Sequence, residues 1–248
     1  MIFIKSNEEI KLMREANAIV RDLLLYLEEK VKPGISTADL DKLAYEFITK
    51  RGAKPSFLGY DGFPASICTS VDDVVVHGIP SHDQILEEGQ IIGIDVGAYI
   101  HGYHGDAART VAVGKISPEK QRLIDVTRES FFKGVATLKD GVRLGDLSSA
   151  IQSHAESNGY SVVRELVGHG IGRKMHEDPS VPNYGIQGHG VKLKKNMTIA
   201  VEPMINMGKR DIYVDDDGWT IHTRDGLPSA HYENTLLITE DGYELLTL

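Results

Sequence analysis

The chain has 248 residues, room for one large domain or two small ones. Hydrophobic residues make up 41% and charged residues 25%, which excludes a disordered, collagen-like or coiled-coil chain. The formal net charge of −9 repels phosphate backbones, so no specific nucleic-acid partner is expected. Lys192, Lys194 and Lys195 make a local basic patch open to transient contact with a ribosome or an acidic partner, but a solvated loop before a strand is the preferred reading. One cysteine, Cys68, allows no disulfide framework and fits a reducing cytosol. The start, MIFIKSNEEIKLM, has charge from Lys5 onward and no signal-peptide apolar core. No stretch approaches the roughly 18 apolar residues of a membrane span. A soluble, cytoplasmic protein without a membrane partner is expected, and a monomer.

Ser6, with Glu9 three residues on, predicts a capped first helix. Ile10, Met13, Val20, Leu24, Leu27 and Val31 recur at helical spacing until Pro33-Gly34. A second helix starts near Ser36-Thr37, buries Leu40, Leu43, Phe47 and Ile48, and stops at Gly52. Residues 66–113 read as short strands and turns. Ser117-Pro118-Glu119 opens a third helix, and a fourth runs from about Asp146 to Asn158. Strands follow at Met197–Glu202, Ile212–Val214, Trp219–Thr223 and Glu233–Thr239.

The order helix, helix, strands occurs twice, which invites a search for a repeat. Residues 31–52 laid on 138–159 match Lys32, Gly34, Asp39, Leu40 and Gly52 to Lys139, Gly141, Asp146, Leu147 and Gly159. The same shift of 107 lays QIIGIDV (90–96) on MTIAVEP (197–203), so Asp95 falls on Glu202, each ending an apolar run. At a shift of 127, HGDAART (104–110) meets HYENTLL (231–237), and Asp106 falls on Glu233. We read a duplication with pseudo-twofold halves, about 1–115 and 116–248, forming one catalytic domain with helices outside and carboxylates inside.

A carboxylate in an apolar run is costly to bury uncompensated. Asp95, Asp106, Glu202 and Glu233 brought together would repel, and such clusters bind cations; two divalent ions would balance them. His169, in Gly168-His169-Gly170-Ile171-Gly172, is the candidate nitrogen ligand. His77 and His176 stand in similar Gly- or Pro-bounded runs, though a lone histidine is more often a satisfied or exposed residue. His101 and His104 offer a rival pair of nitrogen ligands but read as turn residues between strands, and Asp215-Asp216-Asp217-Gly218 as a hairpin turn rather than a calcium loop. An oxygen-rich set with no thiolate suits Mn, Fe or Co more than a structural zinc. Two metals about 3.5–4 Å apart are a recognised hydrolytic device. No G-x-S-x-G, phosphate loop or H-E-x-x-H competes.

Together VVVHGIP (74–80), IIGIDVGAYIHGYHGDAART (91–110), VGHGIGRKMHEDPSVPNYG (167–185), AVEPM (200–204) and HYENT (231–235) resemble type I methionine aminopeptidases of the short bacterial form. The resemblance covers nearly the whole chain. It implies an α+β "pita-bread" fold, a pseudo-twofold duplication with helices outside a central antiparallel sheet. It also implies removal of the initiator methionine from nascent polypeptides whose second residue is small. By position it makes Asp95, Asp106, His169, Glu202 and Glu233 the ligands of two divalent ions (Co, Mn, Fe or Zn). Asp106 and Glu233 would bridge the ions. His77 would contact the substrate amide, His176 would steady the scissile carbonyl, and Glu202 would shuttle the proton. Tyr60, Phe63, Cys68 and Trp219 would form the methionine pocket. Phe57, Phe63 and Met175 depart from the best-known members and affect its shape. Prolidase or aminopeptidase P chemistry, creatinase-like chemistry and a non-catalytic binder are the rivals. The first two usually carry an extra domain, creatinases lack this ligand set, and a binder would have lost ligands.

Overall fold

The computed structural model describes residues 2–248. Helix α1 (Asn7–Glu28) and α2 (Thr37–Lys50) lead into β1 (Lys54–Pro55), β2 (Ile67–Val71), β3 (Val74–Val76), β4 (Ile91–Ile100) and β5 (Tyr103–Ala112). Helix α3 (Pro118–Val135) and α4 (Leu144–Ser157) lead into β6 (Ser161–Val162), β7 (Gly168–Gly170), β8 (Glu177–Val181), β9 (Thr198–Val201) and β10 (Met204–Asn206). The chain closes with β11 (Ile212–Val214), β12 (Ile221–Thr223), β13 (Ser229–His231), β14 (Asn234–Ile238) and β15 (Tyr243–Leu245).

The helix starts follow their capping residues. The Ser6 side chain accepts from the Glu9 amide at 3.2 Å while Glu9 accepts from the Ser6 amide at 2.9 Å. Ser36 and Asp39 repeat the arrangement on α2, and Ser117 caps α3 with Pro118 at its first position. Two boundaries differ from expectation. Helix α1 ends at Glu28, because the Lys30 and Val31 amides close its last turn on the Leu27 carbonyl; Val31 packs from the following loop. Helix α4 starts at Leu144, because Asp146 is its third residue and takes the Arg143 amide.

Strand ends also move inward. Trp219 lies in a turn rather than a strand, since the Asp217 carboxylate accepts from the Trp219 and Thr220 amides and the Thr220 hydroxyl. That turn joins antiparallel β11 and β12, so the hairpin reading of Asp215–Gly218 holds. His104 is not a turn residue: β5 begins at Tyr103, and only His101, at φ 54°, sits in the β4–β5 turn.

All sheet pairings between these strands are antiparallel. In one sheet β4 carries β5 on one side and β1 and β2 on the other; in another the order is β15-β14-β9-β7-β8. Helix α1 packs on β4 and β5 through Val20, Leu23, Leu24 and Leu27, all buried. Phe131, Val135, Leu147 and Ile151 of α3 and α4 bury against Ile199 and Leu236 of the second sheet. Truncating one of these side chains to alanine costs about 2–5 kcal/mol. The central antiparallel layer is thus two sheets joined at a seam. There Ala108 and Glu233 exchange backbone hydrogen bonds at 2.9 and 3.3 Å. The hydroxyls of Thr110 and Thr235 donate across the same seam to the carbonyls of His231 and Asp106.

Candidate metal centre

The β4–β5 hairpin sets the first two carboxylates. Asp95 pairs with Ala108 and Asp106 with Gly97, so both acids project from one face of the hairpin. Cys68 of β2 stands opposite Asp95 on that face. His169 pairs with Ala200 of β9. Its flanking glycines are steric necessities. A Cβ on Gly168 would fall 2.4 Å from the Ala200 carbonyl oxygen, and one on Gly170 2.2 Å from that of Asp178. Glu202 directly follows β9 and Glu233 directly precedes β14. Because Val201 pairs with Asn234, the two glutamates emerge together.

The five residues converge on one cavity of about 410 Å3. Asp106, His169 and Glu233 each bring one ligand atom within 4.8 Å of the others, a grouping able to hold a metal ion. His169 Nε2 lies 3.6 Å from Asp106 Oδ2 and 3.7 Å from Glu202 Oε1. Asp95 lines the same cavity, and, after burial, its charge helps to raise the Asp106 carboxyl. Burial pushes the Asp95 carboxyl up to about 7. Burial, then the neighbouring carboxylates, raises Asp106, Glu202 and Glu233 well above the usual range.

The donor set fits a cation. Asp95 Oδ1, Asp106 Oδ1 and Glu233 Oε1 are buried with no hydrogen-bond partner. The imidazole argues the same way. His169 Nδ1 lies 2.8 Å from the Gly170 carbonyl oxygen, which can only accept, so Nδ1 carries the proton. The Nε2 lone pair therefore faces carboxylates. Burial also depresses this histidine to about 3, which keeps it neutral. Once those carboxyls ionise, a lone pair aimed at them is repulsive, and a cation among them relieves it.

The other predicted residues line the same cavity. Phe57, Phe63, Cys68 and Met175 form a buried apolar cluster against which Tyr60 and Trp219 pack. Phe63 and Trp219 meet edge to face at 5.2 Å. His77 is depressed to about 4 by burial, and His176 is lowered for the same reason, so both are neutral near pH 7. The His176 ring packs edge-on against His169 at 4.3 Å, and its Nδ1 lies 2.7 Å from the Tyr60 hydroxyl.

The chain matches metallopeptidase family M24 over residues 11–240. It is 55% identical over 248 residues to the methionine aminopeptidase of Clostridium acetobutylicum, spanning 100% of this chain and 99% of that one. The chain belongs to the methionine aminopeptidases of family M24. The crystal structure of the Rickettsia prowazekii methionine aminopeptidase superposes with a TM-score of 0.98 at 44% identity, over 100% of both chains. The prolidase of Pyrococcus furiosus shares the fold, at a TM-score of 0.81 and 26% identity, but the match spans only 65% of that longer chain. The architecture is therefore the pita-bread fold of this family, and the chain is a hydrolase of the metallopeptidase class. Among the described residues no helix is long and apolar enough to cross a membrane.

Beside the site the structure places His104, which reads as a turn residue in the sequence, and two features that were not read from the sequence, His231 and the Tyr60–His176 contact. His104 lies in β5 with Nδ1 2.9 Å from the Ser56 hydroxyl, and burial depresses it to about 4. His231 Nε2 is buried 3.7 Å from Glu202 and 4.0 Å from Glu233. It stands two residues before Glu233, and alternation along an extended segment was the signal that could have found it. The Tyr60–His176 contact links residues 116 apart and left no local signal.

Proposed function

We propose that this chain is a dinuclear metalloaminopeptidase that removes the initiator methionine from nascent polypeptides whose second residue is small. The observation that carries this reading is the neutral His169, its Nε2 lone pair turned onto Asp106 and Glu202 at the wall of an apolar pocket. Asp95, Asp106, His169, Glu202 and Glu233 would hold two divalent ions, Co, Mn, Fe or Zn. Bound there, such ions supply Lewis acidity toward the scissile carbonyl and lower the pKa of water.

The protein's own groups do the rest. The apolar cluster of Phe63, Cys68, Tyr60 and Trp219 receives the unbranched thioether. Glu202 takes the proton of the attacking water and passes it to the leaving amine. With the Tyr60 hydroxyl donating to Nδ1 of His176, Nε2–H is free to donate to the scissile carbonyl oxygen, where charge develops. Neutral His77 donates toward the substrate amide. We further propose a single catalytic domain with pseudo-symmetric halves 1–115 and 116–248, acting as a monomer in the cytoplasm. The tripeptides Met-Ala-Ser, Met-Leu-Ser and Pro-Ala-Ser, with an X-Pro peptide, test the reading. Cleavage should be fastest for Met-Ala-Ser. Equal cleavage of Met-Leu-Ser would remove the small-residue rule, and faster cleavage of X-Pro would transfer the chain to prolidase-type chemistry.

A further inference from the structure

His176 reaches the cavity from a loop that an ion pair remote in sequence holds from behind. The Lys5 ammonium meets the Glu177 carboxylate at 2.5 Å, with the two side chains only 4% and 3% exposed. Glu177 is the residue after His176. Its other oxygen accepts the Lys174 amide at 3.2 Å, closing the loop on itself. Lys5 is anchored in turn, because its amide donates to the Asn196 carbonyl at 2.8 Å, and Asn196 donates to Ile238 of β14. The pair therefore ties the His176 loop to the sheet that carries the glutamates.

The packing around the pair is specific. A Cβ on Gly172 would lie 2.6 Å from Lys5 Cε, 2.7 Å from its Nζ and 2.8 Å from Glu177 Oε1. The last glycine of the H-G-I-G run thus makes room for the ion pair, not for the imidazole. The same loop is held at Arg173, which reaches Glu9 of α1 at 3.2 Å, and at Gly172, whose carbonyl takes the His104 amide at 2.9 Å. Ile2 adds a parallel bridge to Asp178. The His176 ring has the Tyr60 hydroxyl as its hydrogen-bond partner and packs edge-on against His169. The His176 backbone continues into Glu177, the first residue of β8, which pairs with Gly170 of β7 and whose side chain Lys5 holds.

We propose that Lys5 is a positioning residue for catalysis: through the buried Glu177 carboxylate it fixes the placement of His176 over the scissile carbonyl. The inference rests on the role given to His176 above. Without the ammonium the buried Glu177 carboxylate has lost its counter-charge and turns toward water, drawing His176 with it. A displacement of about 1 Å at a transition-state donor costs on the order of 10²-fold in rate.

The test measures kcat, KM and metal per chain on Met-Ala-Ser for Lys5→Met, Lys5→Arg, His176→Ala and the double variant Lys5→Met/His176→Ala. Lys5→Met should lower kcat about 10- to 100-fold with KM and metal content within about twofold. Lys5→Arg should restore most of it. In the His176→Ala background, Lys5→Met should change kcat less than about twofold, because the group it positions is gone. An equal loss with and without His176, or an unchanged kcat in Lys5→Met, overturns the proposal. If Lys5→Met does not fold, Lys5→Met/Glu177→Leu, which leaves no buried charge, replaces it with the same expectations. The imidazole NMR resonances of His176 give a readout free of turnover. They should shift in Lys5→Met and not in Lys5→Arg. Resonances that shift in Lys5→Met, together with a wild-type protein that cleaves no methionyl peptide, would sink the peptidase reading and leave the placement of His176 by Lys5 standing.

Discussion

His169 and Asp106 face each other across the seam between the two sheets, Nε2 lying 3.6 Å from Oδ2 with the lone pair, not the proton, on the near side. An imidazole oriented this way can serve as a ligand, whereas the proposed function gives His77 and His176, which line the same cavity, substrate-contacting roles. The variants His169→Ala, His77→Ala and His176→Ala should therefore separate. The first should lower metal bound per chain. The other two should keep their metal and lose turnover on the order of 10²–10³-fold each, as for loss of one transition-state donor. Metal analysis beside steady-state kinetics checks this, and equal metal loss in all three would defeat the assignment.

Removing one hydroxyl should reach the same step indirectly. Tyr60→Phe deletes the partner that sets the His176 tautomer while leaving the apolar wall in place. A loss in kcat of about 10-fold or somewhat more is expected, with metal content unchanged. A change confined to KM would mean that Tyr60 serves only the pocket.

Stability should depend on pH differently with and without metal. In the metal-free protein Asp95 titrates near 7, and Asp106, Glu202 and Glu233 are raised as well. A raised folded-state pKa contributes stability that is full below the unfolded value near 4 and is lost as pH rises through 7. The histidines work the other way. His77 and His104 near 4, and His169 and His231 near 3, contribute stability that is full above about 6.5 and lost toward those values as pH falls. Between about pH 4 and 6.5 the two sets oppose each other, and above 6.5 only the carboxyl effect remains. The melting temperature of chelated protein should fall from pH 6.5 to 8, by about 1.4 kcal/mol of stability per pH unit for each extra proton the folded state holds. Added Mn or Co, by holding the carboxylates ionised, should remove that decline, so the metal-induced rise in melting temperature is larger at pH 8 than at 6.5. An equal rise at both values would contradict it.

Arg109 should matter to the fold more than its distance from the cavity suggests. It donates to the Ala108 and Glu233 carbonyls and to Asn234 Oδ1 and lies 4.3 Å from the Tyr232 ring centroid, directly behind the seam. Arg109→Ala removes three charge-assisted hydrogen bonds and leaves each acceptor only its second donor, the Glu233 amide, the Ala108 amide and the Thr247 hydroxyl. Urea unfolding should show a loss of about 1–3 kcal/mol, lowering the melting temperature by several degrees. A loss under about 0.5 kcal/mol would mean that water replaces the guanidinium.

Methionine should be preferred over leucine at the first position, but not absolutely. The two differ by branching and one sulfur, worth roughly 1–3 kcal/mol in an apolar pocket, or about 10–200-fold in kcat/KM. Competition between Met-Ala-Ser and Leu-Ala-Ser measures the ratio directly. A ratio near one would mean that the Phe57 and Met175 side chains have reshaped the pocket.

The helices were legible because their signals are local: Ser6 with Glu9, Ser36 with Asp39 and Ser117 before Pro118 each act within one turn. The candidate site was legible for a different reason. A carboxylate ending an apolar run, as at Asp95 and again at Glu202, is a local contradiction that needs a compensating charge. What stayed hidden depends on partners far along the chain. Lys5 finds Glu177 across 172 residues, and the His104 ring finds Ser56 through the packing of two separate segments. No periodicity or motif encodes such meetings, because each side chain alone is an ordinary polar residue.

The seam also has a temporal meaning. The first half of the chain brings His77, Asp95, Asp106 and most of the apolar wall, but His169, Glu202 and Glu233 lie beyond residue 115. A chain still emerging from synthesis holds Asp95 and Asp106 without His169, and the seam that would set their spacing lacks its second side. The five candidate residues can converge only after Glu233 has docked beside Ala108, so the cluster is completed by strands made late in the chain.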